Sequence, residues 1–100
     1  MKKEISVQDN QVIVRLSDSI YVEEASTLRD SVLSYIDKGY SNFLLDLTNL
    51  RYIDSSGLGV LIAIQKRTAQ QNGTLVIKGL NGAVKELFEL TRLTQVFDIQ

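Results

Sequence analysis

The chain has 100 residues, enough for one small domain, and its hydrophobic fraction of 44% suits an ordinary globular core. It carries 11 basic and 12 acidic residues without a basic stripe, which argues against a nucleic-acid partner. The absence of His and Cys excludes Ser-His-Asp catalysis, disulfides and thiolate zinc sites, and the sequence predicts no metal site.

Two short strand patterns open the chain. Residues 5–7 alternate between apolar and polar, and residues 12–16 place three apolar side chains on one face. Asp9 and Asn10 lie between the two patterns and predict a turn, which makes the pair an antiparallel hairpin. Residues 17–21 are interpreted as a connection.

Helical spacing begins at about Val22, where apolar residues recur every three or four positions. These residues are Ala25, Leu28, Val32 and Ile36. Gly39 suits the position that follows a helix C-terminus. Residues 43–47 are apolar with little alternation, which predicts a central strand covered on both faces or nearly so.

The second half repeats the alternation of strand and helix. We predict a loop over 48–51, a second helix from about Ser56 to Gln71, a strand over 75–77 and a terminal strand over 96–99. Asn81 is expected to cap a third helix. The predicted inner faces contain Leu58, Leu61, Ile62 and Ala69 in the second helix, and Val84, Leu87 and Phe88 in the third.

The order β-β-α-β-α-β-α-β predicts a single α/β domain over residues 1–100. Its sheet should be mixed, with four or five strands, an N-terminal antiparallel hairpin, parallel β-α units and helices packed against it. The expected core comprises Leu28, Val32, Leu45, Leu47, Leu61, Ile62, Val76, Leu87 and Phe88. No apolar run approaches the ~18 residues of a membrane helix and no leader peptide is evident, so we expect no membrane insertion and a bacterial-type cytoplasmic location.

One polar stretch stands between the central strand pattern and the second helix. It consists of Asp54, Ser55, Ser56, Gly57, Leu58 and Gly59. Each Gly in a helix costs ~1 kcal/mol relative to Ala, so two in a first turn suggest that something approaches the backbone closely. The simplest interpretation is a serine cap with an acid beside it, but this does not explain the glycines.

Three phosphate-binding or catalytic motifs do not fit this stretch. A P-loop needs a Lys after the glycines, and none follows. A dinucleotide fingerprint needs Gly or Ala at position 62, which is Ile. A nucleophile elbow needs Gly at position 54, which is Asp. The sequence therefore predicts no cofactor.

The stretch closely resembles a known family motif. Residues 53–61 are similar to the core motif of STAS domains, in the branch of anti-sigma factor antagonists. Residues 44–48 resemble that family's central strand, and residues 84–93 resemble its last helix. The similarity spans nearly the whole chain and implies a STAS-like fold.

The resemblance implies a regulatory protein that is a substrate, not an enzyme. The matching acceptor is Ser55, which in this family is phosphorylated by a partner that is both anti-sigma factor and serine kinase. The unphosphorylated antagonist binds the kinase and frees the sigma factor, the phosphorylated form is released, and a metal-dependent serine phosphatase (PPM-type) resets it. We expect partner contacts from residues 54–59 and from Tyr21, and a monomer or weak dimer.

One segment departs from the family pattern. The branch usually carries Gly-Glu/Asp-Ile/Leu-Asp after the second strand, whereas this chain has Asp18-Ser19-Ile20-Tyr21. The departure leaves three alternatives: phosphorylation handled differently, a different partner, or a lost switch. The second hypothesis is therefore a non-switching STAS subunit of a lipid ABC-type transporter or a signalling assembly.

Two hydroxyls compete for the role of acceptor. We assign phosphorylation to Ser55, with Ser56 as the alternative, and expect Ser56 to serve as the helix cap. Gly57→Leu is expected to block docking without unfolding the domain. Asp46, within an apolar strand, is either near a ligand crevice at the strand's end or a buried carboxylate bonded to backbone N–H groups.

Overall fold

The computed structural model describes all 100 residues and contains five strands and three α-helices. The strands are β1 (Lys2–Gln8), β2 (Gln11–Ile20), β3 (Asn42–Ile53), β4 (Thr74–Lys78) and β5 (Asp98–Ile99); the helices are α1 (Val22–Asp37), α2 (Ser55–Gln70) and α3 (Gly82–Leu90). A short 3-10 helix, Leu93–Gln95, precedes β5. No helix is long and apolar enough to cross a membrane.

The five strands form one sheet in the order β1-β2-β3-β4-β5. β1 and β2 are antiparallel, and every other neighbouring pair is parallel, so the predicted α/β architecture is confirmed. Asp9 and Asn10 join the hairpin with φ of 51° and 66°. Left-handed backbone at both central residues gives the twist that a two-residue hairpin turn requires, and Asn and Asp tolerate it.

All three helices contribute to one hydrophobic cluster on one side of the sheet. Phe43, Leu45 and Leu47 of β3 are buried in that cluster, while Leu44 and Asp46 between them are only partly buried. The prediction of a central strand covered on both faces is therefore wrong. β3 alternates because no helix covers its second face, and Leu44 alone hides the alternation in the sequence.

β2 and β3 extend farther than predicted. The predictions of a connection over 17–21 and of a loop over 48–51 are wrong, because strand pairing continues to Ile20 in β2 and to Ile53 in β3. Two register shifts interrupt this part of the ladder, between Arg15 and Ser17 and between Asp18 and Ser19. Shifts of this kind break the two-residue period of buried side chains, so the strand is not visible as an alternating pattern.

Four predicted inward-facing residues lie nearer the surface than expected. Ile62, Val76 and Leu87 are only half-buried, and Ala69 is exposed. The other six residues of the predicted core are buried. In α2 the inner face instead includes Ile64 and Thr68.

Two predictions near the C-terminus also need correction. Asn81 occupies the N-cap position of α3, but its side chain makes no capping hydrogen bond. Its amide instead donates to the backbone oxygens of Thr48 and Gly79, at 2.9 Å each, and ties α3 to the end of the sheet. The predicted strand over 96–99 is reduced to the two residues of β5, because the preceding residues form the 3-10 helix and its exit.

Asp18 occupies a backbone position that suits glycine. Its φ is 67°, in the left-handed region, where an L residue other than Gly is strained by ~1 kcal/mol. Asp18→Gly is therefore expected to raise the free energy of unfolding by up to about 1 kcal/mol, and Asp18→Val to lower it. Urea unfolding of the three proteins checks the order; a less stable Asp18→Gly variant would contradict the role of backbone strain.

Candidate functional site

The site is built where β3 passes into α2. The Asp54 backbone N–H donates to the Ile20 carbonyl at 3.1 Å, which holds the ends of β2 and β3 together. Asp54 is the N-cap of α2: its Oδ1 accepts from the Gly57 backbone N–H at 3.0 Å. The expectation that Ser56 caps the helix is wrong, because a carboxylate one residue before Ser55 already satisfies that donor.

Ser55 is the first residue of α2 and is exposed, whereas Ser56 is half-buried. Neither hydroxyl is hydrogen-bonded to another group of the chain, so neither is committed to holding the fold together. The first-turn N–H groups of a helix have no partner within it, and they carry the positive end of the helix dipole. The Ser55 hydroxyl therefore stands at a position that favours negative charge.

The two glycines of the stretch have different surroundings. Gly57 is buried, and a Cβ there would lie 2.5 Å from Ile53 Cγ1 and 2.9 Å from Ile20 Cγ2. Gly59 is exposed, and a Cβ there would have no neighbour within 4 Å. Glycine at position 57 suits the packing of α2 on the strand ends, so we expect Gly57→Leu to destabilise the domain as well as to alter docking.

The predicted contact surface is only partly exposed. Gly57 and Leu58 are buried, so they support the site from beneath instead of facing outward. Asp54 and Ser56 are half-buried, and Ser55, Gly59 and Tyr21 are exposed.

An aromatic pair flanks the start of α2. The rings of Tyr21 and Tyr52 lie 5.6 Å apart, and their exposed fractions are 52% and 45%. Val22, the next residue after Tyr21 in the chain, has an exposed fraction of 64%. We call Tyr21, Val22 and Tyr52 the aromatic patch. Val22 and Tyr52 were not predicted to belong to the site, because the spacing of residues in a sequence does not reveal their exposure.

Asp46 is distant along β3 from this junction, on the face of the sheet without helices. Its Oδ1 accepts hydrogen bonds from the Thr48 backbone N–H at 3.1 Å and from Thr48 Oγ1 at 2.6 Å. Arg15 Nε lies 3.9 Å from the other carboxylate oxygen. The strand continues seven residues beyond Asp46, so this residue is not at the end of the strand as the crevice interpretation requires. The alternative, a buried carboxylate bonded to backbone N–H groups, is confirmed in part: Asp46 is half-buried and accepts from one backbone N–H.

The pKa of Asp46 reports this environment. Partial burial alone raises the pKa, but the two Thr48 hydrogen bonds and the charges of Lys78 and Arg15 outweigh it and hold the pKa below its ordinary value of 3.8. The carboxylate therefore contributes stability that is present above about pH 4 and is lost as the pH falls through the lowered pKa.

Asp46→Asn is expected to lower the free energy of unfolding at pH 7 by about 1 kcal/mol, since it removes charge-assisted hydrogen bonds. The difference from the natural chain should shrink below about pH 4, where the natural carboxylate becomes protonated. Urea unfolding at pH 7 and pH 3 measures both quantities. A difference that is independent of pH would contradict this role of the charge.

The whole-chain comparison decides the family. The sequence matches the STAS domain family over residues 2–100. The chain belongs to the STAS domain family. Its predicted resemblance to that family is confirmed.

The chain is similar to several known proteins. It is 28% identical to the anti-sigma-B factor antagonist of Bacillus subtilis, over 96% of this chain and 87% of that protein. The crystal structure of TM1081 from Thermotoga maritima superposes with a TM-score of 0.91 and 26% identity, covering 97% of this chain and 84% of the other. SpoIIAA of Bacillus in its phosphorylated form has a TM-score of 0.81 and 16% identity, over 99% and 91% of the two chains. The last similarity concerns the fold alone.

Proposed function

We propose that this STAS domain is an anti-sigma factor antagonist whose release is controlled by phosphorylation of Ser55. It binds an anti-sigma factor with serine kinase activity while Ser55 is unmodified. The kinase transfers the γ-phosphate of ATP to Ser55 Oγ, leaving ADP, and the antagonist dissociates. The observation that carries the proposal is the exposed, unbonded Ser55 hydroxyl at the start of α2. A PPM-type serine phosphatase restores the hydroxyl, and the cycle belongs to the cytoplasm.

A relative supports the general role. The Bacillus subtilis protein is named an anti-sigma-B factor antagonist, and its similarity covers nearly all of this chain. SpoIIAA, which shares the fold, has been solved in a phosphorylated form. In our proposal this chain is the substrate of the kinase and not itself an enzyme.

The local geometry tolerates a phosphate within the domain. Phosphoserine adds about −1.5 to −2 charges at neutral pH. At the first residue of α2 this charge meets the positive end of the helix dipole and the free N–H groups of the first turn. Phosphorylation should therefore leave the fold unchanged.

The same charge is unfavourable in a closed complex. Ser55 adjoins the Asp54 carboxylate, whose Oδ1 is already bonded to Gly57, and the ends of β2 and β3 bring the aromatic patch close to it. A partner that covers this surface would strip water from the phosphate and leave it beside another negative charge and apolar side chains. Release then follows from a local change, without refolding.

Gly59 supports the same contact surface. It lies four residues after Ser55, hence one turn farther along the same helix face. No packing contact requires glycine there, although glycine weakens the helix by ~1 kcal/mol relative to Ala. A side chain is absent where a partner could approach the backbone closely.

Tyr21 gives this surface a specific chemistry. The exposed ring pair with Tyr52 is suited to an apolar or aromatic anchor of the partner. We infer that the partner of this chain makes an apolar contact where the family usually offers an acid. In this proposal, Tyr21 in place of the usual acid changes which residue of the partner contacts this position. Ser55 remains the residue that is phosphorylated.

Phosphorylation mapping tests the proposal. Incubation with ATP and the cognate anti-sigma factor kinase should place one phosphate on Ser55, as located by fragment mass spectrometry. Ser55→Ala should remain unmodified and bound, and the matched control Ser56→Ala should be phosphorylated normally. Phosphate on Ser56 alone would reverse the assignment of the two hydroxyls. Modification of neither serine would favour the alternative, a non-switching STAS subunit.

A further inference from the structure

A second surface feature lies between α1 and α2. It is a groove of about 290 Å³. Its lining consists of Arg29, Leu33, Ala63, Ile64, Lys66 and Arg67. Leu33 is half-buried and Ile64 is buried, and together they form an apolar floor. The three basic side chains are exposed along the rim.

The charge of the groove contrasts with that of the chain. The whole chain has a net charge of −1, yet three of its 11 basic side chains line this one groove. Asp37 approaches Arg67 to 3.9 Å, but both side chains are largely exposed, so this pair neutralises little. No carboxylate pairs with Arg29 or Lys66, and Asp30 beside Arg29 does not line the groove. The groove therefore attracts negative charge.

The shape of the groove favours a helix as its occupant. Sites for small molecules bury most of their ligand, whereas this groove is open to solvent. A groove between two packed helices accepts the apolar ridge of a third, with flanking residues meeting the rim. Acidic flanks would pair with Arg29, Lys66 and Arg67.

The groove is also continuous with the Ser55 surface. α1 and α2 follow neighbouring parallel strands and begin at the same edge of the sheet, where Asp54 bonds to Ile20. At 1.5 Å per residue, Ala63 lies about 12 Å along α2 from Ser55. A partner helix of two to three turns spans that distance.

We propose that this α1–α2 groove docks an acidic amphipathic helix of the anti-sigma factor partner. The proposal rests on the proposed function for the identity of that partner. Ser55 then determines whether the complex is released, and the groove supplies affinity that does not depend on phosphorylation and selects partners by charge.

Charge reversal tests the groove. Calorimetric titration with the purified anti-sigma factor kinase should show at least ten-fold weaker binding to the Arg29→Glu/Lys66→Glu double variant, with a reduced dependence of affinity on salt. Neither residue is in an ion pair, so the fold should persist and thermal melting verifies this. Lys2→Glu/Lys85→Glu is the matched control, because it makes the same change of net charge away from the groove.

The outcomes separate this inference from the proposed function. The groove proposal is wrong if the Arg29→Glu/Lys66→Glu variant binds the kinase as tightly as the natural chain does. It is also wrong if the control variant loses as much affinity as the groove variant. If Gly59→Leu abolishes binding in the same experiment, the Ser55 surface still stands. If Gly59→Leu binds normally while the groove variant does not, the groove binds the kinase and the Ser55 surface is not part of the interface. Absence of binding by the natural chain counts against both.

Discussion

Gly57→Leu is expected to lower the melting temperature of the domain by about 10 °C or more. Even a single Cβ at Gly57 would lie 2.5–2.9 Å from atoms of Ile53 and Ile20, which are both fully buried. Forcing extra methylene groups into such a site typically costs 1–3 kcal/mol, and here no carbon fits without movement, so we expect about 3 kcal/mol or more. Replacing glycine in a helix recovers only ~1 kcal/mol of stability through the higher helix propensity of leucine. Each further kcal/mol of lost stability lowers the melting temperature by about 4–8 °C at this chain length.

Gly59→Leu is the matched control for this expectation. It makes the same substitution two residues later in the same helix, where a Cβ has no neighbour within 4 Å. The gain in helix propensity should raise the free energy of unfolding by up to ~1 kcal/mol. Thermal melting followed by circular dichroism measures both variants; equal melting temperatures would show that α2 shifts to accommodate the side chain at Gly57.

Binding should respond to Gly59→Leu in the opposite way to stability. We expect this variant to bind the anti-sigma factor kinase at least 100-fold more weakly while remaining fully folded. Gly59 lies one turn above Ser55 on the exposed face of α2, where a leucine would separate the partner from the helix backbone. A 100-fold loss corresponds to about 2.8 kcal/mol, a typical effect for a residue at the centre of an interface.

An exposed position on α3 provides the control for binding. Ala83→Leu adds an apolar side chain of the same kind to a helix that belongs neither to the Ser55 surface nor to the α1–α2 groove. Its affinity should equal that of the natural chain in calorimetric titration. Natural affinity in the Gly59→Leu variant would place the interface elsewhere on the domain.

Periodicity was sufficient to predict the elements with regular spacing. The four apolar positions assigned to the first helix, from Ala25 to Ile36, are all buried in α1. The Asp9–Asn10 turn was predictable because these residues tolerate left-handed backbone, which both adopt. Such features depend on the residue and its near neighbours in the chain, and therefore leave a signal in the sequence.

Features that depend on distant residues were not predictable. The ends of β2 and β3 pair across register shifts, so their buried positions Leu47, Leu50 and Ile53 are spaced by three residues and do not resemble a strand. The uncovered face of β3 was hidden because Leu44 is apolar although only half-buried. Nothing near these residues in the chain indicates which side of the sheet the helices occupy.

The candidate site likewise contains features that were predictable from the sequence and features that were not. The sequence located the start of α2 and predicted that Ser55 stands at it. It did not show that Asp54 is the cap, or that Gly57 and Gly59 have different surroundings. The first depends on side-chain orientation, and the second on contacts with Ile20, a residue 37 positions away in the chain.

The most direct test of the proposed Ser55 switch is the affinity of the proposed partner, the anti-sigma factor kinase, for the two forms of this chain. The unmodified chain and the chain phosphorylated on Ser55 are titrated into the kinase by calorimetry, after thermal melting has verified that both are folded. We predict that phosphorylation weakens binding at least 100-fold while the melting temperature stays the same or rises, because the phosphate lies at the start of α2. Equal affinities of the two folded forms would contradict the switch.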